Sequence, residues 1–109
     1  MNFKINGDTW VIRFKTKEQM IDLYKTEYQE EDVYFVCGLT DKPKQIIWIN
    51  KDMNKEHQVK TLKHELTHCY IYEYGLYNVP SFNEEMACDL VSRSYDFINE
   101  IVDRFIKEN

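Results

Sequence analysis

The chain has 109 residues, 43% of them hydrophobic and 15% aromatic, which suits one domain with a single core and leaves no room for a second domain of ordinary size. A net charge of −5 speaks against general nucleic-acid binding, which draws on a basic patch. No apolar run reaches membrane-spanning length, no signal-peptide pattern is visible, and three cysteines (Cys37, Cys69, Cys88) form no Cys-x-x-Cys pair, so the expectation is a reduced, cytoplasmic chain.

From the N-terminus, Phe3–Ile5 and Thr9–Phe14 read as two strands around an Asn6-Gly7-Asp8 turn, with the Asn-Gly pair favouring a hairpin. Thr16 is placed to cap a first helix, and Gln19 to complete a capping box. That helix should run to about Tyr28, bury Met20, Leu23 and Tyr24, and end in solvent at the acidic cluster Glu27 to Asp32. Val33–Leu39 is rich in strand formers, Asp41 to Lys44 reads as a turn, and Gln45–Asn50 as a second strand paired with the first. The second strand is either an exposed edge able to pair with an extended substrate or an interior strand with Ile47 and Ile49 in the core.

A helix from about Asn54 to Tyr74 follows, ended by Gly75 at a C′ position. It carries His64-Glu65-Leu66-Thr67-His68, which has the form His-Glu-x-x-His. Residues four apart lie one above the other on a helix, so both imidazoles can address one metal ion. Glu65, next to them around the helix, is the candidate general base acting on water at that ion. After a loop over Leu76 to Pro80, Ser81 or Asn83 is placed to cap a last helix to about Lys107. Met86, Leu90, Phe97, Ile101 and Phe105 fall close to helical spacing there, a stripe suited to core packing, with a protein partner along the C-terminal helix as the alternative.

A catalytic zinc takes three protein ligands and a water. Ile71 and Tyr74 stand where the long metzincin motif needs Gly and His, and His57 is two turns, about 10 Å, from His64 along the axis. The third ligand is therefore sought among the carboxylates that open the last helix. Glu84 and Glu85 differ by about 100° around it, so only one should face a metal. Glu85 is preferred because Asp89, four residues on, can accept the outer N–H of a ligating His; Glu84 is the alternative ligand. Tyr77 is the candidate oxyanion stabiliser. Cys69 and Cys88, which flank these residues, read as small buried side chains at helix contacts or as further ligands.

His64-Glu-Leu-Thr-His68 followed by Glu85-Met-Ala-Cys88-Asp89 resembles a gluzincin-type zinc metallopeptidase, and more narrowly the ImmA/IrrE-type family and its small phage-encoded relatives. The stretch Leu62 to Gly75 is similar to the phage-type proteins as well. The resemblance runs over about 30 residues, from Leu62 to Ser92, with Val91 and Ser92 where the family has Phe and Ala. It implies an α+β fold, a small antiparallel-rich sheet packed on a zincin active-site helix, with a long C-terminal ligand helix behind. It also implies a Zn²⁺ cofactor and a peptide or protein substrate. Two rival readings stand beside it: a non-catalytic zinc-binding or docking module, and a repressor- or antitoxin-directed protease of a mobile element.

Overall fold

The structure is a computed structural model and describes residues 1–76 and 83–109. Strands β1 (Asn2–Ile5) and β2 (Asp8–Lys15) form the expected hairpin, closed at Ile5↔Asp8. Asn6 and Gly7 both take positive φ, 48° and 83°, the backbone of a turn whose twist matches the flanking strands. Helix α1 (Lys17–Tyr28) starts at the capping box: Thr16 accepts from the Gln19 amide and the Gln19 side chain accepts from the Thr16 amide. It buries Met20 against the sheet.

Strands β3 (Gly38–Asp41) and β4 (Ile46–Asn50) pair antiparallel, and β4 also pairs parallel with β2, giving the order β1-β2-β4-β3. The Gln45–Asn50 segment is thus an interior strand, which removes it as an edge for substrate. Ile47 and Ile49 are fully buried, and the free edge on that side belongs to β3.

The strand expected over Val33–Leu39 forms only from Gly38. Residues 33–37 are not in the ladder, and Tyr34 and Phe35 are exposed. The segment is held instead by the end of β4. The buried Asn50 donates its Nδ2 to the Val36 carbonyl at 3.0 Å and its amide to the Cys37 carbonyl at 2.9 Å. Strand propensity describes side chains suited to a pleated, half-buried surface, and here the surface ends before the aromatic pair.

Helix α2 (Lys55–Glu73) is capped by Asn54, and α3 (Glu84–Glu108) by Asn83, whose side chain accepts from the Met86 amide. Gly75 has φ 68° just past α2, as the C′ reading requires. Of the expected loop and caps, Ser81 and residues 77–80 lie outside the described residues.

The sheet has helices on both faces. On one, Phe3, Ile5, Trp10, Ile12, Ile47 and Ile49 meet Leu62, Leu66, Cys69 and Tyr70 of α2 and Ile101, Val102 and Phe105 of α3. On the other, Met20, Val36 and Leu39 pack with Trp48 and Leu23. Among the described residues the result is an α+β fold with a four-stranded mixed sheet and three helices, the C-terminal one being long. Two of its three strand pairings are antiparallel. Among the described residues no helix is long and apolar enough to cross a membrane.

Candidate metal centre

Helix α2 sorts its side chains by angle. Leu62, Leu66, Cys69 and Tyr70 recur at helical spacing and turn into the core. His64 and His68 fall on the other side and are exposed. Glu65 sits at the border and is 7% exposed. One short segment therefore delivers two imidazoles to solvent and one carboxylate to the sheet.

The two imidazoles converge: Nε2 of His64 lies 3.2 Å from Nε2 of His68, with the ring planes at 74°. Two Zn–N bonds of about 2.0–2.1 Å at a tetrahedral angle set their nitrogens about 3.3 Å apart, so the pair has the separation of two ligands on one ion. The donor chemistry fits zinc equally well, since neutral imidazole is a common zinc ligand.

Glu65 is held by β3. The Thr40 hydroxyl lies 2.9 Å from Glu65 Oε1 and 3.2 Å from its main-chain carbonyl. Alternation along β3 turns Gly38 and Thr40 toward α2 and Leu39 and Asp41 away from it. The near face is thus small and polar, and helix and strand approach closely. A Cβ on Gly38 would stand 2.6 Å from Thr61 Cγ2 and 3.1 Å from Glu65 Cγ. The Tyr28 phenol is pushed above its usual pKa, first by burial and then by the negative field of Tyr24, Glu27, Glu65 and Asp41, which puts it in the same electrostatic neighbourhood.

His64 and Glu65 open into a cleft of about 1040 Å³. One wall is α2, with His57, Lys60 and Thr61; the other is the segment from Glu30 to Gly38. His57, read as remote from the metal, does not join the His pair but lines the same cleft.

The carboxylates of α3 stand apart from this arrangement. Glu84, Glu85 and Asp89 are exposed on its first two turns. Among the described residues no group of three or more His, Cys, Asp or Glu side chains gathers as a metal cluster, so neither Glu85 nor Glu84 is brought onto the His pair. Tyr77 lies outside the described residues. Cys69 is fully buried in the core and its thiol is pushed up to about 12 by burial and, secondarily, by Glu73, so it packs as an apolar side chain. Cys88 is exposed on α3.

Three residues that shape the site were not visible in the sequence pattern: Thr40, Gly38 and Asn50. Each acts across the fold, on a partner 14 or more positions away, and only the two-residue alternation of β3 hinted at the first two. Searches against family models, curated proteins and solved structures give no match to this chain.

Proposed function

We propose that the chain is a zinc-dependent metallopeptidase. The observation that carries the reading is the convergence of His64 and His68 at 3.2 Å beside a sheet-anchored Glu65, with His64 and Glu65 lining the largest cleft described. His64 and His68 supply two ligands. The third is taken from the sequence pattern alone, which favours Glu85, with Glu84 as the alternative and Asp89 as the partner that orients a ligating His. Zinc bound there would polarise a peptide carbonyl and make water a competent nucleophile near neutral pH.

The chain's own part centres on Glu65. Donation from Thr40 to Oε1 fixes the plane of the carboxylate. The second oxygen is then left to take a proton from the attacking water and return it to the leaving amine. Partial burial keeps bulk water from competing for that carboxylate. The free edge of β3 runs beside it and offers main-chain hydrogen bonds to an extended peptide.

The separation of α3's carboxylates from the His pair favours a second reading, a zinc-binding or docking module without catalysis. Glu65→Gln distinguishes the two. Under the peptidase reading the purified protein carries about one zinc per chain by mass spectrometry. The variant keeps that zinc and loses cleavage by about a hundredfold or more. A chain that takes up no zinc when it is added to folded protein removes the basis for the peptidase mechanism and leaves the docking module.

A further inference from the structure

The cleft beside His64 is asymmetric in charge. Its α2 wall carries Lys60 and His57, both exposed, at four and seven residues before His64. Lys60 also lines an adjoining groove with Lys55 and Lys63. From Lys51 to His64 four lysines face two acids, Asp52 and Glu56, in a chain whose net charge is −5. The opposite wall brings Glu30 and Asp32, together with Tyr34 and Phe35.

Spacing turns this asymmetry into a position. At 1.5 Å per helical residue, Lys60 is about 6 Å and His57 about 10 Å along the axis from His64. An extended peptide advances about 3.3 Å per residue, so the same distances correspond to two to three residues of a bound strand. We propose that the cleft selects peptides bearing a carboxylate two to three residues from the bond presented to His64 and Glu65, received by the Lys60 ammonium and an N–H of His57. Acids placed elsewhere meet Glu30 and Asp32 and are disfavoured, which makes the selection positional. The carboxylate is an Asp or Glu side chain or the peptide's own C-terminus.

What the cleft does with such a peptide rests on the peptidase reading, but its affinity for one is measurable without turnover. The probe is a set of fluorescein-labelled ten-residue Ser/Leu peptides with Asp scanned through each position, matched peptides with Lys in its place, and both with free or amidated C-termini. Binding to the full chain carrying Glu65→Gln is followed by anisotropy at low and high salt. The expected result is about three- to tenfold tighter binding for Asp at one or two adjacent positions, weakened by salt. Lys60→Glu inverts the preference, His57→Ala reduces it, and the same charge change at the distant Lys44 leaves it intact. Loss on amidation assigns the effect to the chain end, and retention assigns it to the side chain. If no position gains from Asp, or if the gain survives Lys60→Glu, the proposal is overturned. Absence of zinc and cleavage in the wild type, with the charge preference intact, overturns the peptidase reading alone.

Discussion

The hydroxyl of Thr40 lies 2.9 Å from Oε1 of Glu65, joining an edge strand to the carboxylate between the two histidines of α2. Removing it leaves a largely buried carboxylate oxygen without its donor. Thr40→Val keeps the side-chain outline and deletes that donor. We expect kcat to fall by about ten- to a hundredfold with zinc content unchanged, and Thr40→Ser to recover most of the loss. Equal loss in the Val and Ser variants would show that shape, not the hydrogen bond, matters at this position.

The assignment of the third ligand has its own test. Glu85→Ala should weaken zinc affinity by more than about a hundredfold, beyond the effect of losing an outer partner, while Asp89→Ala costs about tenfold. Glu84→Ala should stay within about threefold, as expected if its carboxylate serves only the positive end of the helix. Competition with a chromogenic chelator measures all three. The reverse order for the two glutamates moves the ligand to Glu84.

Gly38 sets how closely β3 approaches α2. The carbon added by Gly38→Ala meets Thr61 Cγ2 at 2.6 Å, and a β-branched side chain on a helix has little rotamer freedom to yield. We expect a loss of about 1–3 kcal/mol in urea unfolding, together with reduced activity as Glu65 is displaced. Thr61→Ser removes the clashing methyl and should restore part of the stability in the double variant.

Glu73 links α2 to the N-terminal hairpin, accepting from Trp10 Nε1 at 2.7 Å. Its carboxyl is held above the usual glutamate range, chiefly by burial and further by the nearby Asp8, against the opposing effect of the Trp10 hydrogen bond. A carboxyl whose pKa is higher folded than unfolded favours the folded state most when protonated. That contribution is complete below the unfolded pKa and is lost as pH rises through the folded one. Glu73→Gln keeps an acceptor for Trp10 and removes the charge. Its stability relative to wild type should therefore rise as pH climbs from the ordinary glutamate range, read as a shift in urea midpoint. A constant difference across that range would show that Glu73 titrates alike in both states.

What the sequence disclosed was local. Asn6-Gly7, Thr16 with Gln19, Asn54 and Gly75 each act within a few residues, so their chemistry is written next to their effect. The His-Glu-x-x-His spacing is of the same kind, since one helical turn fixes it. The parallel pairing of β2 with β4 is not: Val11 meets Ile46 across all of α1 and β3, and nothing near either residue announces it. The same holds for Thr40 with Glu65. Val33–Cys37 misled because its strand-forming residues sit beyond the last partner on β4, where Asn50 binds their carbonyls instead.

Ile101, Val102 and Phe105, near the far end of α3, complete the same core as Phe3 and Ile5 at the start of the chain, and Arg104 donates to the Asn2 carbonyl. During synthesis, then, α2 leaves the ribosome well before the side chains that close the core beneath it. A nascent chain stopped short of Ile101 would carry both histidines yet hold no settled surface behind them. Such a protein gains its settled fold late and all at once, and a premature stop in α3 should send the product to cellular proteases rather than leave a partly stable domain.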